Sequence, residues 1–99
     1  MEEISIMQCI GFEWDNGNQY KNRIKHDVSC SECEEVFFNE PLLLFEDSKH
    51  SQSETRMYVL GHTDNHRELF IAFTIRNQFI RVITARDMSK KEREIYEKA

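Results

Sequence analysis

The sequence lacks the marks that commonly announce an enzyme's chemistry. It has no GxxxxGK[ST] phosphate loop, no GxSxG nucleophile elbow and no HExxH zinc helix. No apolar run approaches the ~20 residues that cross a bilayer. The acidic opening, MEEISIMQC, lacks the basic start of a secretory signal. A cytoplasmic protein with no membrane partner is the expectation. Three cysteines, Cys9, Cys30 and Cys33, do not make a disulfide scaffold. Cys30 and Cys33 form a lone CxxC, which supplies half of a structural zinc set. Two small residues on the first turns of a helix is the plainer reading of that pair, and a redox or metal role is the alternative. No cluster of carboxylates suggests a metal, so neither metal nor cofactor is expected. Internal repeats, low-complexity tracts and linkers are also lacking.

What is present fits one domain spanning residues 1–99, with 39% hydrophobic and 31% charged residues. A chain of this length hides roughly 60–65% of its unfolded surface, enough for one modest core. The net charge of −5 conceals an asymmetry. Residues 1–50 carry 4 basic and 11 acidic groups, and residues 51–99 carry 9 basic and 7 acidic. Such a chain has a weak long-range pull on nucleic acid, so arginines that hold phosphate must act locally. The acidic half suits a basic protein partner.

Periodicity and punctuation predict an α+β fold. A short edge strand is expected within Ile4–Trp14, and a helix over 17–26 capped by Asp15 or Asn16. A second helix starts at the capping box Ser29/Glu32, or Ser31/Glu34, and stops before Pro41. Strands are expected at Leu42–Phe45, Arg56–Gly61, Leu69–Ile75 and Phe79–Ala85. The polar loop Glu46–Ser53, a hairpin turn over His62–Arg67 with Asp64-Asn65, and a tight turn at Arg76-Asn77-Gln78 separate them. Connections this short favour an antiparallel meander. A third capping box, Ser89/Glu92, opens a polar C-terminal helix in which only Met88, Ile95 and Tyr96 have the means to pack.

Arginines and histidines are the chemical candidates. Arg81 lies inside an apolar strand, FIRVITAR, where charge is uncommon. Arg56, Arg76 and Arg86 sit at strand ends. A guanidinium fork matches a phosphate with paired hydrogen bonds. The competing reading is an arginine on a solvated sheet face, paired with Glu54 or Asp47. His26 ends a predicted helix and His50 lies in a polar loop; both titrate in the range useful for proton transfer. A helix-end histidine bonded to a carbonyl is the structural alternative for His26. His62, His66 and Arg67 flank a turn and read as surface residues, with Arg67 of little consequence.

In order and spacing, the chain resembles the BrnT family of toxins from bacterial type II toxin–antitoxin pairs, over about residues 12–97. The residues that carry the resemblance are Phe12-Glu13-Trp14-Asp15, Asn22, Lys25-His26, Val28-Ser29, Val36-Phe37 and Pro41. Further along come Asp47, His50-Ser51, Glu54, Arg56, Gly61, Thr74, Arg76, Ile80-Arg81, Ile83, Ala85-Arg86, Glu92 and Tyr96-Glu97. The chain departs from the pattern where Asp27 and Asn77 replace glycines and Asn18 replaces a basic residue. Asparagine and aspartate tolerate the left-handed backbone region, so both turns are expected to survive.

The resemblance implies a RelE-like fold with two N-terminal helices, a four-stranded antiparallel sheet and a C-terminal helix. It implies an RNA-cleaving toxin that stops translation. A small DNA-binding, BrnA-like antitoxin would neutralise it, and operator DNA would be bound only through that complex. The matching scheme is metal-free transfer within RNA, with His26 or Glu54 moving protons and Arg56, Arg76 and Arg81 stabilising the phosphoryl charge. Lys25, His50 and Arg86 would hold the RNA. A binding partner without catalysis, acting in operon repression, is the alternative.

Overall fold

The computed structural model of the protein describes residues 6–50 and 54–99, apart from the side chains of Met7 and His50. Helix α1 spans Lys21–His26, α2 Cys30–Phe38 and α3 Lys90–Glu97. Strands β1 (Gly11–Phe12), β2 (Leu43–Glu46), β3 (Arg56–His62), β4 (Glu68–Arg76) and β5 (Phe79–Asp87) form one sheet in the order β1-β5-β4-β3-β2. Strands β2 to β5 pair antiparallel, whereas β1 lies parallel to β5. The expected four-stranded antiparallel sheet is therefore corrected to five strands in a mixed sheet. The added pairing is two residues long, Gly11 opposite Phe79 and Phe12 opposite Ile80. Ile4, the predicted start of this strand, lies outside the described residues.

Of the three candidate capping boxes, Ser29/Glu32 and Ser89/Glu92 form, and Ser31 lies inside α2. Ser29 and Ser89 each accept the backbone N–H of the glutamate three residues on, and each glutamate reaches back to its serine N–H. The first helix is shorter than the predicted 17–26. The Asp15 carboxylate accepts from the Gly17 N–H at 2.7 Å and so closes a turn, while Tyr20, the residue before α1, makes no side-chain cap. Asp27 ends α1 at φ 53, ψ 45, returning its N–H to the helix carbonyls as a C-terminal glycine would. Asn77 and Gln78 both have positive φ, so the β4–β5 hairpin turns as the type I′ geometry requires.

Alternation along the strands gives the sheet two faces. Met57, Val59, Leu69, Ile71, Phe73, Ile80, Val82 and Ala85 point toward α1 and α2, where Val28, Cys33 and Val36 meet them. Gly61 is required here: a Cβ on it would stand 2.7 Å from a Val36 methyl. On the opposite face Tyr96 of α3 and Met88, just before it, lie over Leu60, with Leu43, Phe45 and Phe70 around them. The polar C-terminal helix thus has a binding face of one tyrosine, and it covers only the half of the sheet nearest the β3–β4 turn. His62 belongs to this packing rather than to the surface. Its Nδ1 lies 2.8 Å from the Tyr96 hydroxyl, which itself donates to the Pro41 carbonyl at 2.6 Å.

Arg67, expected to matter little, is a junction between three elements. Its Nε and Nη2 bond both oxygens of Asp87 at 2.8 and 3.2 Å. Nη1 reaches the Asp27 carbonyl at 2.7 Å and Glu32 at 3.1 Å, and Nη2 also reaches the His26 carbonyl at 3.2 Å. One side chain therefore ties the end of α1, the capping box of α2 and the end of β5 together. Turn propensity marks where Arg67 sits in sequence but not what folds onto it. Arg67→Met is expected to cost roughly 2–3 kcal/mol, because charge-assisted bonds are lost and two carboxylates lose their partner. That corresponds to a fall of roughly 10–20 °C in thermal midpoint for a domain this size. Hydrogen bonding from Arg67 holds the Asp87 carboxyl below its usual 3.8. A depressed folded pKa adds stability above the unfolded value, which is lost as pH falls through the folded one. The gap between wild type and Arg67→Met in urea unfolding should therefore be full at pH 6 and shrink below about pH 4.

Candidate active site

The half of the sheet that α3 leaves uncovered carries a polar row across the strands. Arg56 on β3 stands opposite Thr74 on β4, and Thr74 opposite Arg81 on β5. Asp47 extends the row past Arg56, to which it is tied by a 2.8 Å backbone bond and a 3.6 Å ion pair. Glu13, just after β1, closes the other end at 2.9 Å from Arg81. Two residues on from Thr74, at the β4–β5 turn, Arg76 meets Glu54 in a two-pronged pair of 2.7 and 2.6 Å. Of the residues singled out from sequence for catalysis, Arg56, Arg76, Arg81 and Glu54 come together here.

Carboxylates occupy these arginines. Arg81 donates to both oxygens of Asp15, at 2.7 and 3.1 Å, as well as to Glu13. The hydrogen bond from Arg81 depresses the Asp15 pKa, and Asp15 raises that of Arg81. Glu54 is likewise held below the ordinary carboxylate range, chiefly by Arg76 and further by the charge of Arg81. Glu54 is thus an ionised base within an arginine field. The competing reading, arginines paired on a solvated face, is met in part, although Arg81 takes Glu13 and Asp15 rather than Glu54 or Asp47.

Thr74 was not singled out as a site residue. It is 6% exposed, and its hydroxyl has no hydrogen-bond partner among the described residues. A buried hydroxyl left unsatisfied costs about 1–3 kcal/mol, so its place between two arginines asks for a reason. The sequence signal was faint: a threonine at the end of an apolar strand has high β-propensity and draws no notice.

The remaining candidates lie elsewhere. His26 and Lys25 are at the end of α1, beside Arg67 and Asp87. Asp87 ends the strand that Arg81 nearly begins, roughly 17–20 Å away at the rise of a strand. The structure therefore does not bring His26 or Lys25 to the arginine row. The backbone carbonyl of His26 serves Arg67, and Lys25 is exposed. Arg86 is on the site's face but under α3, with its guanidinium 4.1 Å from the Phe70 ring centre and two bonds to Glu92 at 2.8 and 3.0 Å. That placement holds α3 to the sheet. His50 ends a 3₁₀ turn, Ser48–His50, three residues past Asp47; its side chain lies outside the description. Cys33 is core, its thiol pushed up to about 12 by burial, and Cys30 opens α2. Among the described residues no three His, Cys, Asp or Glu side chains converge as metal ligands, and no helix is long and apolar enough to cross a membrane.

A family model described as the ribonuclease toxin, BrnT, of type II toxin–antitoxin systems matches residues 14–92. The chain belongs to the BrnT toxin family. The match begins within the Glu13–Asp15 segment and ends inside α3, so it contains the whole arginine row. A search of curated proteins finds no match to the chain. BrnT membership makes the Arg76–Glu54 pair the first feature to examine in solution. By NMR, the Glu54 carboxyl should titrate below its usual 4.5 in the wild type and move back toward it in Arg76→Gln. Unchanged titration would show that Arg76 does not hold Glu54.

Proposed function

We propose that the chain is an endoribonuclease toxin that cuts RNA at the uncovered arginine row. The observation that carries this reading is the convergence of Arg56, Arg76, Arg81 and Glu54 on one open half-face. Family membership supplies the substrate class. On this scheme the phosphodiester displaces the carboxylates from the arginine forks. Glu54, released from Arg76 and still ionised, takes the proton of the ribose 2′-hydroxyl. The 2′-oxygen bonds to phosphorus, the bond from phosphorus to the 5′-oxygen breaks, and that oxygen takes a proton. The products are a 2′,3′-cyclic phosphate and a 5′-hydroxyl. Arg56, Arg76 and Arg81 offset the charge that grows on the non-bridging oxygens. His26, at the far end of the sheet, is too distant to supply that proton. Side chains alone perform each step, so a metal ion has no part in the scheme.

The partner is proposed to be a small DNA-binding antitoxin. The stretch from residue 26 to 48 has seven carboxylates and no lysine or arginine. It includes α2, whose Phe38 is 78% exposed. An acidic surface with an exposed aromatic suits a basic protein better than it suits RNA or operator DNA. We infer that the toxin reaches the operator only through that complex. The occupied arginines support a second reading, in which the chain is catalytically silent and acts through the antitoxin alone.

Two measurements separate the readings. Arg76→Ala and Arg81→Ala should each lower cleavage of a defined oligoribonucleotide by a factor of ~100–1000, the usual effect of removing one transition-state donor. Growth arrest on expression should vanish with it. No cleavage by the wild type of any RNA tried, with antitoxin binding intact, selects the silent partner. The second measurement tests the competition. Glu13→Gln with Asp15→Asn removes two negative charges beside the phosphate and should tighten RNA binding about tenfold at low salt, with the gain fading as salt rises. Fluorescence anisotropy with a labelled oligoribonucleotide reads this; equal affinity would mean the carboxylates hold Arg81 in place without excluding phosphate.

A further inference from the structure

We propose that Thr74 is a phosphate-binding residue, its hydroxyl donating to a non-bridging oxygen of the RNA phosphodiester between the guanidinium forks of Arg56 and Arg81. The proposal rests on the ribonuclease reading above for its substrate and on three observations of its own. Thr74 is directly opposite both arginines, so its side chain lies within about 5.5 Å of theirs at the Cβ atoms. It is 6% exposed. Its Oγ1 is buried without a hydrogen-bond partner among the described residues.

A residue selected only to fill this position has a better choice. Valine has the same shape and the same β preference, and it leaves no hydroxyl unsatisfied. The hydroxyl is therefore a cost in the free protein, and a ligand that accepts a hydrogen bond removes that cost. The neighbours decide what kind of acceptor fits. Two guanidinium groups flank the hydroxyl, so the acceptor is anionic, and the forks call for an oxyanion with several oxygens. A phosphodiester meets both conditions. The cross-strand neighbours of Thr74 on both sides are long, flexible side chains. When Arg56 and Arg81 turn from Asp47, Glu13 and Asp15 to the phosphate, the hydroxyl between them is uncovered. Its single O–H then completes a three-sided cradle, while the ester oxygens remain open to Glu54 and the proton donor. A short neutral donor fixed on a central strand also discriminates by place, since it meets only a phosphate seated deep between the two arginines. The hydroxyl takes no proton and forms no covalent bond in this role.

The experiment uses Thr74→Val and Thr74→Ser in the full chain, with one oligoribonucleotide and its fully 2′-O-methylated, uncleavable copy. Thr74→Val should keep or raise the thermal midpoint, because it removes an unsatisfied group, and yet lower kcat/KM by about 10–100-fold, as loss of one uncharged donor to a charged oxygen would. Thr74→Ser should restore cleavage to within about threefold of wild type, since it returns the donor. It should do so although it removes a methyl and lowers the midpoint. That opposition between stability and activity is the signature, because a packing role would move both together. Wild-type cleavage by Thr74→Val overturns the proposal and leaves the ribonuclease reading standing. So does a parallel loss of stability and cleavage in Thr74→Val that serine does not rescue. If the wild type cuts no RNA, the methylated copy decides. Weaker binding by Thr74→Val than by wild type and Thr74→Ser upholds the phosphate site and ends the ribonuclease reading, whereas equal binding, or none by the wild type, overturns both.

Discussion

The outer edge of β5 is the constraint on which the site depends. Strand β1 covers that edge only as far as Phe12, opposite Ile80. Beyond it β5 bulges: Val82 opposes Phe73 and Thr84 opposes Ala72, leaving Ile83 as the extra residue. The backbone groups on either side of the bulge would be buried without partners. Two asparagines supply them. The Asn18 amide donates to the Val82 carbonyl at 3.1 Å and to that of Glu13 at 3.0 Å, while the Asn22 side-chain oxygen accepts the Ala85 N–H at 2.9 Å. Both asparagines are buried. They are four residues apart, one before α1 and one inside it, so they dock the loop and the helix onto the strand in one register. The same contacts set Glu13 and Asp15 beside Arg81. The departure from a basic residue at position 18 thus has a structural use, since a lysine or arginine there has no acceptor to offer the Asp15 N–H that Asn18 binds at 2.8 Å.

That docking makes the electrostatics of the face local. A chain at −5 does not draw RNA from a distance. Near the row, however, the relevant charges are three arginines, and their carboxylate partners are mostly well exposed: Asp15 is 52% and Glu54 36% open to solvent. Ion pairs of that kind contribute little stability, so their exchange for phosphate is inexpensive. The contrast with Arg67 is instructive. Its partners include two helix-end carbonyls, which no phosphate can replace. The same residue type therefore serves as a fastener at one end of the sheet and as an exchangeable donor at the other.

Much of this was legible in the sequence because it rests on local chemistry. Ser29/Glu32 and Ser89/Glu92 cap helices through bonds that span three residues. Asp27 and Asn77 took the left-handed turns expected of them, at φ 53 and 51. The strands followed alternation, and Arg81, as a charge inside an apolar strand, was conspicuous for a sound reason. What was hidden depends on partners distant in the chain. Arg67 meets residues 20 to 41 positions away, and nothing near it in sequence announces them. The two-residue β1 is too short to show a period. His26 looked chemical because its type is versatile, yet its place is decided by α1, which ends at the wrong end of the sheet. Thr74 escaped because burial without a partner is a property of three dimensions only.

The division of the open face between α3 and the arginine row follows from how each half is held. Tyr96 anchors α3 through the Pro41 carbonyl and His62, and Arg86 adds its double bond to Glu92. Toward the β4–β5 turn the face carries Arg56, Thr74, Arg76 and Arg81, with Phe79 opposite Arg76 and Tyr58 opposite Ala72. α3 packs instead through Tyr96 on Leu60 and its neighbours, at the other half of the face. The turn beside it is tight, with positive φ at both central residues, and it fixes the backbone of Arg76 at the end of β4. Glu54, by contrast, lies in a bend ahead of β3, outside the sheet ladder. The cations are therefore carried on paired strands and their carboxylates on the segments that flank them. In an exchange of carboxylate for phosphate the carboxylates leave, and the paired strands keep the backbones of the arginines at their spacing.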